Sequence, residues 1–172
     1  MPKLAVLLAD YGVYHRDPRN RRTHYIGVPA IAYAVLVPAA LVEFTLFGFS
    51  VDLDRIIVAA FVLFYLILDL RLGILLAVLL TLLAWAAETT TRLGVSGSLV
   101  VAGVVFILGW VLQIFGHYLE GNRPALLTNL FQIVVAPIYL TAELTFSMGL
   151  RTGLRSEVER RLVSRTAQHS SQ

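Results

Sequence analysis

The chain has 172 residues, of which 58% are hydrophobic and 15% charged, with a mean hydropathy of +0.76. That is too apolar for an ordinary soluble domain of this size and indicates a membrane protein of one domain, residues 1–166. The net charge of +3 comes from thirteen arginines and one lysine crowded towards the two ends, which suits a membrane surface and argues against nucleic acid; the lack of cysteine excludes disulfides, thiolate metal sites and cysteine nucleophiles.

Residues 1–25 read as an interfacial segment that carries histidines. The apolar run Leu4–Ala9 is shorter than a signal-peptide core and stops at Asp10. It predicts a retained helix with Leu4, Leu8, Tyr11 and His15 on one face, set against the membrane or other helices. Asp17-Pro18 then reads as a helix start, aspartate capping and proline in the first turn, and Asn20 and His24 share a face of that second helix. His15 and His24 thus meet at the mouth of the membrane-embedded part, residues 26–149.

Ile26–Phe49 is the first predicted span, with Pro29 near its start and Glu43 as its one charge. Ile56–Leu68 and Leu72–Ala87 are divided by Asp69-Leu70-Arg71. Charges in hydrocarbon are costly, which favours two helices with the polar turn at an interface. Glu88–Ser98 is expected as a polar loop and Leu99–Phe115 as the next span, followed by Gly116-His117. Glu120-Gly121-Asn122-Arg123-Pro124 predicts a helix end, a glycine just past it and a new helix. Ala125–Gly149, interrupted by Pro137 and carrying Glu143, is expected to be kinked or re-entrant. Residues 150–166, with Leu150, Leu154, Val158 and Leu162 at every fourth position among arginines, predict an amphipathic helix on the membrane surface, and 167–172 a disordered tail.

The fold class is therefore all-α, a polytopic transmembrane bundle of about four to five spans with interfacial helices at both termini. Four crossings between the N-terminal segment and His117 put both on one side, which Arg16, Arg19, Arg21 and Arg22 make the cytoplasmic one. The protein is integral to the bacterial inner membrane if bacterial, or to the endoplasmic reticulum membrane if eukaryotic; a homo-oligomer is compatible with this composition.

His15, His24, His117 and Glu120 form the candidate metal set, His117 and Glu120 lying three apart on one helix face. Two histidines and a carboxylate suit Fe(II) with open positions, and three histidines with a water suit Zn²⁺ equally well. A lone interfacial histidine is more often a hydrogen-bonded anchor, tyrosines such as Tyr11 are usually an aromatic belt, and clustered arginines are usually orientation signals. The concentration of histidines favours a site. Asn20 and Asn122 are candidates to orient ligands, and Arg22 or Arg123 to meet a carboxylate. Three classes follow: an iron oxygenase, a zinc-dependent membrane lipid hydrolase with Glu120 as free base, and a non-catalytic small transporter or scaffold. No serine elbow, glycine-rich phosphate loop or His-Glu-x-x-His supports other common chemistries.

The pattern Tyr11-x₃-His15-x₂-Pro18-x-Asn20-x₃-His24-x₂-Gly27-x-Pro29, with Gly116-His117-x₂-Glu120-Gly-Asn-Arg-Pro124-Ala125-Leu126 and then Pro137 and Glu143, resembles the Mpo1-like family along nearly the whole chain. The resemblance implies a small multi-span membrane enzyme, an Fe(II)-dependent dioxygenase that removes one carbon from 2-hydroxy fatty acids by α-oxidation with O₂. It also implies His15, His24 and His117 as iron ligands, with Glu120 as a fourth ligand or the carboxylate that fixes an imidazole. Tyr11, Asn20 and Asn122 then support the ligands, and Arg123 or Arg22 meets the substrate carboxylate, its acyl chain lying in the lipid bilayer between helices.

Overall fold

The computed structural model describes residues 2–121 and 131–169, which form seven α-helices and one short β-hairpin. Helix α1 (Pro2–Gly12) buries Leu4, Leu8 and Tyr11, the face expected from the sequence. Helix α2 (Pro18–Ala39) starts where Asp17-Pro18 indicates: the Asp17 carboxylate accepts the Arg19 N–H at 2.7 Å, and Pro18 occupies the first turn, where its missing N–H costs nothing.

The expected first span to Phe49 is not one helix. α2 stops at Ala39, and β1 (Glu43–Leu46) pairs antiparallel with β2 (Phe49–Asp52), Glu43 opposite Asp52. The turn between them has Phe47 at φ 52° and Gly48 at φ 84°, two positive values that match the right-handed twist of a two-residue hairpin. A short run of apolar and β-branched residues fits strand and helix alike, which is why hydropathy carried the helix too far. Glu43 accordingly stands in a strand and not in a span.

Helices α3 (Leu53–Leu68) and α4 (Leu70–Thr90) break at Asp69, as its charge required. Its Oδ1 accepts the N–H groups of Arg71 and Leu72 at 3.1 Å each and so caps α4. The polar loop expected at Glu88–Ser98 is mostly helical: α4 runs to Thr90, a 3₁₀ turn covers Thr91–Leu93, and α5 (Gly94–Glu120) starts at Gly94 with φ +73°. Thr89, Thr90 and Thr91 each return a hydroxyl bond to a carbonyl three or four residues back, so these polar side chains are satisfied inside helical backbone. α5 continues through Gly116-His117 to Glu120 and ends at Gly121, whose φ of +72° is the left-handed conformation foreseen for that glycine. Asn122, Arg123 and the helix expected from Pro124 lie outside the described residues.

Helix α6 (Phe131–Ser147) passes through Pro137, and the chain turns only after it. α7 (Thr152–His169) departs at 117°, across a link that holds Gly149 at φ +73° and Arg151 at φ 58°. Leu154 and Val158 of α7 are buried and the helix packs on α1, so the middle of this stripe is covered by protein, while Leu150 is half-exposed. The helix extends to His169, past the expected tail boundary at Thr166.

Among the described residues one stretch, Leu70–Glu120, has the length and the mean hydropathy (2.4) to cross a membrane, or two stretches if α6 and α7 count as one broken span. This is fewer than the four to five expected. α3 has 16 residues, about 24 Å against a hydrocarbon core of roughly 30 Å, and α2 opens with three arginines. Leu80 of α4 and Trp110, Gln113 and His117 of α5 line one cavity, and α5 runs back along α2 towards the histidines, with Gly116 against Asn20. α2 packs against both arms, most extensively on α5, where Gly27 lies against Gly109. The α1–α2 junction, the end of α5 and α6 therefore gather at one end of the molecule.

Candidate metal centre

Three buried histidines converge at that end. His15 follows α1, His24 stands in the second turn of α2, and His117 in the last turn of α5; one ring nitrogen from each lies within 4.8 Å of the other two. His15 is 1% exposed and His24 2%.

The backbone sets their tautomers. The Nδ1–H of His15 donates to the Tyr11 carbonyl at 3.0 Å, and that of His24 to the Asn20 carbonyl at 2.9 Å. Since a carbonyl only accepts, both protons sit on Nδ1, and the two Nε2 lone pairs face each other at 3.2 Å. Two bare lone pairs repel at this separation. Two nitrogens bound to one metal at about 2.1 Å lie roughly 3.0–3.4 Å apart, so a cation between them removes the conflict. His117 Nδ1 is buried with no hydrogen-bond partner, a donor atom awaiting an acceptor of its lone pair or proton. The residues thus fit a transition metal of the kind imidazole prefers. Burial, together with the neighbouring His24, lowers the His15 pKa to about 3, which keeps it in the neutral, ligating form.

Glu120 does not join this cluster. Its Oε1 accepts the N–H of Arg16 at 2.5 Å and of Asp17 at 3.1 Å, and its Oε2 accepts the Asn20 side-chain amide. It fastens the turn between His15 and α2 to the end of α5. Asn20, completely buried, is the hinge of this arrangement: its side chain holds Glu120 while its carbonyl holds His24. Gly116 makes room, since a Cβ there would collide with Asn20 Oδ1 and Thr23 Oγ1. Tyr11 is buried and stacks on His15, ring centroids 4.0 Å apart at 10°, so it backs that imidazole and is no surface belt.

Arg22 is exposed and lines no described cavity, whereas Arg21 turns inward to pair with Glu143 at 2.5 Å. Arg21, Tyr139, Glu143 and Arg155 line a polar cavity of about 430 Å³ that reaches His15. A second cavity of about 240 Å³ starts at the three histidines and continues between α2, α3 and α5 past Ile31, Ala32 and Val35 to Leu36 and Ile57. His24 to Leu36 spans twelve residues of α2, about 18 Å, slightly more than one leaflet of a roughly 30 Å hydrocarbon core. The wall is apolar except for the histidines, tyrosines and the amides of Gln113 and Gln132, whose Oε1 atoms are buried without a donor.

Sequence reasoning missed Arg21, Tyr139, Gln113 and Gln132. Gln113 carried a signal, a lone amide four residues before His117 on the same face of an apolar helix. The other three depend on tertiary packing.

Residues 1–148 match the family described as 2-hydroxy-palmitic acid dioxygenase Mpo1-like. The chain is 32% identical over 159 residues to the 2-hydroxy-palmitic acid dioxygenase MPO1 of Saccharomyces cerevisiae, covering 88% of this chain and 85% of that one. No solved structure matches. With both histidine motifs inside the matched residues, this chain belongs to the Mpo1-like family.

Proposed function

We propose that this protein is a membrane-embedded, non-haem Fe(II) dioxygenase that shortens 2-hydroxy fatty acids by one carbon. The observation that carries the reading is the convergence of three buried imidazoles at the head of an apolar cavity long enough for an acyl chain. Relationship to a 2-hydroxy-palmitic acid dioxygenase supports the substrate class. The exposed apolar residues along α4 and α5, such as Leu75, Val78, Val104, Ile107 and Val111, support lipid around these helices, with the arginine-rich histidine end towards the cytoplasm.

His15, His24 and His117 would hold the iron, which when bound supplies the redox chemistry that O₂ needs to react with a closed-shell acid. The protein's own residues place the substrate. The tail lies along Ala32, Val35 and Leu36; the 2-hydroxyl donates to the unpaired Oε1 of Gln113 or Gln132; the carboxylate meets Arg21 from the polar cavity or Arg123 beyond the described residues. Cleavage of C1–C2 by one O₂ yields the shortened acid, carbon dioxide and water, which balances without an external reductant. Closing the site with apolar side chains keeps bulk water from the reacting centre. A zinc hydrolase would need Glu120 as a free base, but its two oxygens take three donors, so the dioxygenase reading is preferred.

The test is metal analysis of protein purified anaerobically in detergent, followed by O₂ uptake with 2-hydroxy fatty acids. About one equivalent of iron and a product one carbon shorter are expected. Zinc with ester hydrolysis, or no metal after reconstitution with Fe(II), would overturn the reading.

A further inference from the structure

A second cluster lies at the opposite end of the molecule, beyond the far end of α2 and about 22 Å along that helix from His24. Asp52 opens α3, Asp54 sits in its first turn, and Glu88 in the last turn of α4; one oxygen from each lies within 4.8 Å of the other two. Asp54 is completely buried and neither of its carboxylate oxygens has a hydrogen-bond partner. A buried, ionised carboxylate without a donor or counter-ion is strongly unfavourable. Asp52 caps no helix N–H with its side chain, although it stands at the cap position, so its oxygens are also uncommitted to backbone.

Arg55 is the cation at hand. Its guanidinium is 2.8 Å from Glu88 and 3.4 Å from Asp52 and is half-exposed, so its ion pairs go to those two carboxylates, while its charge also acts on Asp54. Three carboxylates against one guanidinium leave a charge of −2. Glu43, opposite Asp52 in the hairpin ladder, adds like charge where cross-strand repulsion already disfavours it. Oxygen donors only and two net negative charges are the requirements of a hard divalent cation and not of an imidazole-seeking metal.

We propose that Asp52, Asp54 and Glu88 form a second metal site, specific for a hard divalent cation such as Ca²⁺, that clamps the start of α3 to the end of α4. The site is separate in chemistry from the histidine centre and independent of the reaction assigned to it. It fastens the hairpin end of the molecule, where the pairing of Tyr33 with Thr90 at 2.6 Å is the neighbouring polar tie between helices.

The experiment is calorimetric titration of the full-length protein in detergent with CaCl₂, after removal of divalent ions, with thermal unfolding measured alongside. Wild type is expected to bind one equivalent and to melt at higher temperature with Ca²⁺, and His117→Ala to behave in the same way. Asp54→Asn, Asp52→Asn and Glu88→Gln should each weaken binding by on the order of tenfold or more and lose the thermal response. If Asp54→Asn fails to fold, the two partly exposed positions, Asp52 and Glu88, carry the test. Absence of Ca²⁺ or Mg²⁺ binding in wild type overturns the proposal. So does an Asp54→Asn protein that is more stable than wild type with no cation response, because Asp54 is then a buried neutral acid.

Discussion

His15 and His24 face each other Nε2 to Nε2 at 3.2 Å, with both Nδ1 protons committed to the carbonyl four residues back. Nothing but a cation, or a proton taken from water, relieves that opposition. Metal loading should therefore stabilise the protein: adding one equivalent of Fe(II) to stripped protein is expected to raise the unfolding temperature by several degrees. His24→Ala should abolish the response and O₂ uptake together while still inserting into membranes. A variant that keeps full activity would show that His24 is no ligand.

Glu120 holds the turn that presents His15 without touching the imidazoles. Glu120→Ala frees three donors, two of them backbone N–H groups, and should cost about 2 kcal/mol of stability. Metal affinity should fall by about 10–100-fold, the usual effect of losing a partner that orients ligands. Glu120→Gln retains one acceptor oxygen and should recover part of both. Equal loss in the two variants, with turnover limited by chemistry and not by metal content, would instead place the carboxylate on the metal.

On the proposed function, the buried amide oxygens of Gln113 and Gln132 would distinguish a 2-hydroxy acid from a plain one. An unpaired acceptor in an apolar wall favours a ligand that brings a donor. Gln113→Leu should lower the preference for 2-hydroxy over unsubstituted fatty acid by about tenfold to a hundredfold, equivalent to roughly 1–3 kcal/mol, measured by competition binding. Unchanged discrimination in that variant and in Gln132→Leu would remove these residues from substrate recognition.

What was legible in the sequence followed local chemistry. The cap at Asp17-Pro18, the break at Asp69 and the glycine at 121 each answer to the backbone groups beside them, and the structure places them as expected. The hairpin was hidden because Phe44 to Phe49 is apolar whichever way it folds, and its turn lacks an Asn-Gly signal. The stripe of α7 was legible but its cover was not, since leucines at every fourth position meet α1 as readily as lipid. Arg21 and Arg22 differ by a 100° rotation about α2, and only the position of Glu143 shows which one faces inward. Glu120 read as a fourth ligand or as the carboxylate that fixes an imidazole; the backbone N–H groups of Arg16 and Asp17 that it accepts leave no trace in residue type.

With the acyl tail placed as proposed, the cavity would also set a length limit. Ala32 lines it about two-thirds of the way from His24 to Leu36, where a larger side chain would block the far third. Ala32→Phe is expected to leave turnover of 2-hydroxy acids with short chains near the wild-type rate and to raise KM for long-chain substrates by at least about tenfold. The check is a chain-length series at saturating O₂. A uniform loss across the series would mean that the tail does not lie along this face of α2.

Asp69 provides a pH-dependent element away from the chemistry. Its carboxylate pairs with both terminal nitrogens of Arg151, Nη1 at 3.0 Å, and thereby ties the α3–α4 break to the residue before α7. Burial alone would raise its pKa, but the hydrogen bonds and charge of Arg151, with the N–H groups of Leu72 and Arg71, outweigh this and hold it below the ordinary value of 3.8. A group whose pKa is lower folded than unfolded binds more protons in the unfolded chain. Its contribution is therefore complete above the unfolded value and is lost as the pH falls through the folded one. Stability measured by denaturant titration in detergent should decline below about pH 4 in wild type, and Asp69→Asn should be less stable at neutral pH with a shallower acid decline. Arg151→Ala leaves a buried carboxylate with only its two backbone donors and should be the more damaging change, by about 3 kcal/mol or more, because one partner of a buried pair is removed and the other stays charged. Were the two variants to match wild type in acid sensitivity, the pair would be screened by solvent and the link between α3–α4 and α7 would rest on packing alone.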